Sequence, residues 1–180
     1  MNIFQIGSGN MGATNVARAL GPRYAALTAL VDVGKGVVAV LLADLLVPGD
    51  KVAAGVAAAL AAVIGHSWSI FILFLTGELK GGKSAAVSAG TWLMLTPLPV
   101  SVVCALLCGL LIWRVRIVSF SVLAAFTVGA VWIMVLVIQG ALAPILAVYG
   151  AALVILLAYR HRTNIDRLRR GVERRIDEGV

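Results

Sequence analysis

Residues 93–100 read Leu93-Met94-Leu95-Thr96-Pro97-Leu98-Pro99-Val100, and the reading of this stretch decides how often the chain crosses an apolar layer. It interrupts an apolar run from Ser84 to Trp113 that is too long for one upright helix. Proline removes a backbone donor and clashes with the preceding turn, so Pro97 and Pro99 predict a turn between two short helices of about 13 or 14 residues each. Such lengths fall below the roughly 20 residues of an ordinary crossing, which leaves a re-entrant pair packed inside protein as the alternative.

On either side of this turn, residues 24–47, 52–75, 118–138 and 141–159 are apolar enough to cross about 30 Å of hydrocarbon. The whole chain of 180 residues is 61% hydrophobic and 13% charged, with a mean hydropathy of +1.02. Those values exclude an ordinary soluble domain. The fold expected is all-α, a polytopic transmembrane helix bundle of about six membrane segments, two of them short, forming a single integral membrane domain over residues 1–180. Residues Met1 to Ile6 carry neither the basic start nor the apolar stretch of a signal peptide.

Basic residues test the segment count, because cytoplasmic loops of membrane proteins collect Lys and Arg. With six segments one face receives Arg18, Arg23, Lys80, Lys83, Arg114, Arg116 and the seven arginines from Arg160 to Arg175, which is 13 of the 15 Lys and Arg residues. The opposite face receives only Lys51, and Lys35 lies inside a span. Five segments would put the later loops on the wrong side, so the count favours six, with both termini cytoplasmic. The net charge of +7 then reflects this bias and attraction to anionic headgroups; a basic surface interleaved with aromatics, as nucleic-acid binding requires, is lacking.

Four polar clusters fall on the basic face. Gly7-Ser8-Gly9-Asn10-Met11-Gly12-Ala13-Thr14-Asn15 combines three glycines, which permit close backbone approach, with Ser8, Asn10, Thr14 and Asn15, neutral groups able to surround an anion. The same composition also suits a flexible loop capping a helix from about Ala13. Lys80-Gly81-Gly82-Lys83-Ser84 offers two cations beside paired glycines, or simply topology lysines in a loop. Ser119 and Ser121 begin a span, where Ser119 could equally cap the helix. His161 and Asn164 stand three apart and share a helix face, with Glu173 beyond them. A set of glycine-rich backbone, Arg18, Lys83, small hydroxyls and amides and one histidine, gathered beside lipid, suggests phosphate chemistry with a lipophilic partner.

Other features carry less. Gly77 to Ser84 satisfies the P-loop expression, but an apolar segment precedes it where a P-loop needs a strand, so a nucleotide site is rejected. Cys104 and Cys108 share one helix face with no His or carboxylate beside them, as packing residues do. Asp32, Lys35 and His66 lie within apolar segments, where ionisable groups are expensive and often functional. They allow a rival reading as the polar path of a small transporter or channel subunit, although Asp32 and Lys35 can also pair at i and i+3.

On these residues the chain resembles the small bacterial membrane acyl-phosphate:glycerol-3-phosphate acyltransferases, over essentially its whole length. The first cluster with Arg18 resembles the family's first motif, and Asp32-Val33-Gly34-Lys35-Gly36 its Asp-x-x-Lys-Gly element. Gly65-His66, Gly81-Gly82-Lys83, Val118-Ser119 and His161-Arg162-Thr163-Asn164-Ile165 with Glu173 follow in family order. The resemblance implies transfer of a fatty acyl group from acyl phosphate to the 1-hydroxyl of glycerol 3-phosphate, with no cofactor and no metal, at the cytoplasmic face of the bacterial inner membrane. It implies that Ser8, Asn10 and Thr14, with loop backbone amides, hold a phosphate, and that Arg18 and Lys83, with Lys80 beside them, supply charge. Ser119, His161 and Asn164 would be the catalytic set that orients the reacting groups, His161 serving either as base or for positioning. The resemblance further implies an N-terminal helix ahead of the first motif, whereas Met1 stands six residues before Gly7. Ser84 replaces a family glycine, Ser69 a common proline, and the loop around Thr76-Gly77-Glu78 is extended. An inactive member is the remaining alternative.

Overall fold

The computed structural model of the protein describes residues 3–176, and those residues are helical throughout their regular structure. A 3-10 turn at Ile3–Gln5 precedes α1 (Ala13–Leu20), α2 (Pro22–Leu46), α3 (Lys51–Ser67) and α4 (Ile70–Thr76). There follow α5 (Ala85–Leu95), α6 (Leu98–Val115), α7 (Val118–Ile138), α8 (Pro144–Arg160) and α9 (Arg162–Arg169).

The proline turn falls where the sequence puts it. α5 ends at Leu95, Pro97 precedes α6, and Pro99 occupies its first turn, where a missing donor costs nothing. Thr96 donates its hydroxyl to the Trp92 carbonyl at 2.8 Å and meets Ser101 Oγ at 2.8 Å, which ties the turn together. The two arms differ in length, however. α6 runs for 18 residues and α5 for 11, so α6 passes as a crossing helix and α5 does not.

The short α5 is tolerated because it is enclosed by protein. Val87, Ser88 and Thr91 are fully buried, and α2 crosses α5 at backbone contact. A Cβ on Gly36 would stand 2.3 Å from the Val87 carbonyl oxygen, and one on Gly90 would stand 2.1 Å from that of Val33. Neither position can hold a side chain, and this close approach is how small residues join helices without a hydrophobic driving force. Tyr149 from α8 donates to Thr91 Oγ1 at 2.9 Å, and Thr91 Oγ1 donates to the Ser88 carbonyl at 3.0 Å.

The 52–75 segment is continuous in hydropathy but not in backbone. α3 stops at Ser67, and Ser69 Oγ caps α4 by accepting from Ile72 N. The Ser69 N–H, released from the helix ladder, donates instead to the Lys80 carbonyl at 3.1 Å. α8 and α9 meet at a bend of 68° at His161. Among the described residues four segments pass by length and hydropathy as crossings, α2, α3 with α4, α6 and α7, and α8 with α9 is the fifth if the bent pair counts as one. Exposed side chains such as Leu45, Phe71, Leu106 and Ile138 form the outer surface, as expected of a multi-pass membrane protein whose solvent is lipid.

Candidate active site

The three loops and the C-terminal turn that carry the polar clusters converge on one cleft of ≈130 Å³. The first wall is the glycine-rich loop. Asn15, buried, is its organising side chain: Nδ2 donates to the carbonyls of Ile3 and Ile6 at 3.2 and 3.0 Å, and Oδ1 accepts from Ser8 N at 2.8 Å. Gly7 and Gly9 take φ of 58° and 63°, a region costly for side chains. Asn10 Oδ1 accepts from Gly12 N at 2.9 Å, and its Nδ2 reaches the Gly81 carbonyl at 3.5 Å, joining the first loop to the second. The amides of Ser8, Gly9 and Gly12 are therefore committed within the loop, which corrects the expectation that the loop amides as a set face a phosphate.

Helix ends supply amides instead. Ala13 and Thr14 of α1, Ala85 and Ala86 of α5, and Val118 and Ser119 of α7 all line the cleft, and no side-chain cap covers any of these three N-termini. First-turn N–H groups lack intrahelical partners and sit at the positive end of the helix dipole, so three such ends on one cavity give it a field suited to an anion. Ser119 is thus not a cap. It lies inside the first turn of α7 and donates to Glu173 Oε1 at 3.0 Å.

Glu173 organises the opposite wall. Its Oε1 also accepts from Asn164 Nδ2, and its Oε2 accepts from Arg167 Nε at 2.7 Å. Burial raises the carboxyl, but the hydrogen bonds from Asn164, Arg167 and Ser119 outweigh it and hold the group below the usual carboxylate range. Asn164 Oδ1 in turn accepts from Lys83 Nζ at 2.6 Å. This fixes the amide orientation, oxygen to the cation and nitrogen to the carboxylate. Lys83 is pushed down to about 8, first by burial and then by the cations of Arg167, Arg18 and Arg160, with Glu173 acting in the other sense.

His161 sits at the junction of α8 and α9, so it and Asn164 meet in the cleft through a bend rather than along one helix face. Its Nδ1 lies 2.8 Å from the Leu157 carbonyl, which can only accept, so Nδ1 carries the proton and Nε2 keeps its lone pair. Burial, partly opposed by that hydrogen bond and reinforced by Lys83, pushes the imidazole down to about 4. The cleft therefore contains donors for an anion (Lys83, helix amides) and acceptors for a hydroxyl (Ser119 Oγ, whose proton is taken by Glu173, and His161 Nε2).

Of the residues singled out in the sequence, Ser8, Asn10, Thr14, Arg18, Lys83, Ser119, His161 and Asn164 line the cleft. Lys80 lies outside its lining: it is half exposed and paired with Glu78, while its carbonyl is drawn to Ser69. Asp32 and His66, read in the sequence as family motif residues and as a rival transport path or ion pair but not as site residues, stand at the cleft as well, 3.7 Å apart, with Lys35 Nζ 3.0 Å from Asp32. Arg160 is a further residue that the sequence did not single out for the site. Its guanidinium donates to the carbonyls of Gly81 and Gly82 at 3.2 and 3.0 Å and lies 5.0 Å above the Trp68 ring. Nothing in its spacing distinguished it from the other arginines of the tail.

A second cavity, ≈600 Å³ and apolar, adjoins the first. Ala85, Ala86 and Val122 line both. Its walls mix small, branched and aromatic residues, among them Ala89, Trp92, Val102, Ala105 and Ile112, and Cys104 and Cys108 are free thiols.

A helix bundle with an apolar outer surface, a polar cleft lined by cations and helix N-termini, and an apolar cavity beside it defines a polytopic membrane protein. The model of the Glycerol-3-phosphate acyltransferase family matches residues 1–171, and the chain belongs to that family. It is 37% identical to the glycerol-3-phosphate acyltransferase of Alkaliphilus metalliredigens over 98% of this chain and 83% of the relative. It is 41% identical to that of Rubrobacter xylanophilus over 97% and 82%. Two crystal structures of PlsY (YgiH), an integral membrane glycerol 3-phosphate acyltransferase, share the fold. The glycerol 3-phosphate form gives a TM-score of 0.81 at 32% identity, covering 97% of this chain and 82% of that one. The lysophosphatidic acid form gives 0.76 at 34%, covering 93% and 80%.

Proposed function

We propose that this chain acts as one integral membrane domain that moves a fatty acyl group from acyl phosphate to the 1-hydroxyl of glycerol 3-phosphate. The products are 1-acyl-glycerol 3-phosphate and inorganic phosphate, the first acylation of phospholipid synthesis. The observation that carries the reading is that a polar, cationic cleft and an apolar cavity lie side by side and share Ala85, Ala86 and Val122 as lining. An amphiphile with a phosphate at one end and a hydrocarbon chain at the other fits both.

In this reading Lys83, Arg18 and the helix amides hold phosphate oxygens, with Ser8, Asn10 and Thr14 completing the shell, while Ser119 Oγ and His161 Nε2 accept from glycerol hydroxyls and Asn164 fixes Lys83. Acyl phosphate is an activated mixed anhydride, so a covalent enzyme intermediate is unnecessary. The glycerol oxygen bonds to the acyl carbon, the carbon–oxygen bond to phosphate breaks, and the hydroxyl proton leaves. His161, held near 4, is a weaker proton acceptor than a phosphate dianion, whose conjugate acid titrates at about 6. We assign the proton to the departing phosphate and positioning to His161. Inactivity of His161→Gln with unchanged substrate affinity would instead make the imidazole the base.

Purified protein given palmitoyl phosphate and glycerol 3-phosphate should release phosphate and lysophosphatidate; a folded protein with no turnover would sink the reading. The transporter alternative gains nothing from Asp32, Lys35 and His66, which close on one another beside the same cleft. The charge bias supports a cytoplasmic cleft in a bacterial inner membrane. Arg169→Cys should then react with an impermeant maleimide in inverted vesicles and not in right-side-out ones.

A further inference from the structure

Ser84 joins the Lys80–Lys83 loop to α5 at φ 63° and ψ 6°. Among the described residues only Ser84 and Arg116 take positive φ without being glycine. A side chain in the left-handed region costs roughly 1 kcal/mol, so something must hold Ser84 there. Its hydroxyl is the holder. Ser84 is buried, and its Oγ lies 2.9 Å from the Val63 carbonyl in α3 and 2.5 Å from Ser67 Oγ. The carbonyl can only accept, so Ser84 donates to Val63, and Ser67 donates to Ser84. Two buried hydrogen bonds thus tie the turn to the end of α3.

The rest of the loop is clamped through its backbone. Gly82 N donates to the His66 carbonyl at 3.0 Å, and Arg160 holds the Gly81 and Gly82 carbonyls. A Cβ on Gly81 would stand 2.2 Å from the His66 carbonyl oxygen, and one on Gly82 would stand 1.9 Å from His66 Nε2. Between that clamp and α5 stands Lys83, whose ammonium must span to Asn164 Oδ1. The chain reverses at Ser84, and that reversal sends the Lys83 side chain and the first amides of α5 into the same cleft.

We infer that Ser84 is a positioning residue: its hydroxyl, bonded to Val63 and Ser67, holds the left-handed turn that aims Lys83 at Asn164 and at a bound phosphate. Glycine would supply the turn but not the tie, and alanine neither. Both variants therefore let Lys83 wander, alanine more, because it also keeps the strain.

The test compares wild type, Ser84→Gly and Ser84→Ala in detergent, by steady-state kinetics and by acetic anhydride labelling of lysines read by mass spectrometry. The kinetic half rests on the acyl-transfer reading; the labelling half does not. KM for glycerol 3-phosphate should rise about tenfold in Ser84→Ala and about threefold in Ser84→Gly, with kcat within about twofold, as loss of ground-state binding predicts. Labelled at pH above about 10, where protonation no longer limits the amine and access does, Lys83 should be slow in wild type and should rise several-fold in both variants relative to Lys80. A residue serving stability alone would lower the melting temperature and the active fraction while leaving KM and the Lys83-to-Lys80 ratio unchanged, and that result overturns the proposal. If Ser84→Ala does not fold, Ser84→Gly decides, since glycine adopts the turn freely. If wild type releases no phosphate, the acyl-transfer reading falls and the labelling ratio still judges Ser84.

Discussion

Lys83 gives the sharpest quantitative prediction. Burial and three neighbouring cations hold its ammonium near 8 rather than at the ordinary value of 10.5. The sign follows directly: the group is charged below about 8 and loses its proton as pH rises through that value. Glycerol 3-phosphate is already a dianion there, so loss of the cation removes attraction without changing the ligand. With a single titration near 8, about one-tenth of the enzyme keeps the charge at pH 9. The value of kcat/KM, which reports the free enzyme, should therefore fall about tenfold between a plateau at pH 7 and pH 9. A bound phosphate favours the ammonium, so kcat itself should decline less over the same interval. Lys83→Arg keeps a cation at all these pH values. Even at a lowered overall rate, its kcat/KM should stay flat across the interval in which wild type falls. Phosphate release measured at fixed ionic strength from pH 6.5 to 9.5 gives both curves. A wild-type profile flat to pH 10, or a limb near pH 8 that survives in Lys83→Arg, would refute the assignment of Lys83 to substrate phosphate.

Four further outcomes test the surrounding design. Asn164→Asp turns a donor into a second carboxylate facing Glu173 and should cost kcat/KM at least about 30-fold, or about 2 kcal/mol; a loss under threefold would disprove the bridge between Lys83 and Glu173. Gly90→Ala places a methyl 2.1 Å from the Val33 carbonyl oxygen and should destabilise the α2–α5 crossing by about 1–3 kcal/mol, visible as a lowered melting temperature in detergent. Ala89→Trp fills the apolar groove; KM for palmitoyl phosphate should rise about tenfold or more while KM for glycerol 3-phosphate holds within about twofold, and equal changes in both would detach the groove from the acyl chain. His161 titrates near 4 in the folded chain against 6.5 unfolded, so its stabilising contribution is full above 6.5 and fades as pH falls toward 4. Melting temperature should drop over that window, and less steeply in His161→Gln.

Much of the architecture was legible from spacing. Pro97 and Pro99 end one helix and begin the next because the constraint is local to their rings, and the apolar lengths set the crossings because bilayer thickness is fixed. The break at Trp68–Ser69 was not legible, since Ile-Phe-Ile-Leu-Phe-Leu reads as a continuation and only the return of Lys80 to the Ser69 amide rewards stopping. Within the site, the distribution of Lys and Arg alone groups the clusters on one face. It could not separate Lys83 from Lys80, because both satisfy the topology bias equally.

What the sequence by itself determined is the class of chain, its helical segments, the sidedness of its polar clusters and its resemblance to an acyltransferase family. These follow from hydropathy, proline stereochemistry and residue order, which act locally or by simple count. Tertiary structure alone decided which groups are spent and which remain available. It committed Asn15 and three loop amides to partners within the loop itself, brought three uncapped helix ends to one cavity, and turned the Ser119 hydroxyl toward Glu173. It also brought Asp32 and His66 to the cleft and tied Ser84 to α3. Hydrogen-bond partners far apart in the chain cannot be paired from composition or spacing, because their geometry exists only once α2, α3, α5, α7 and α9 have packed together.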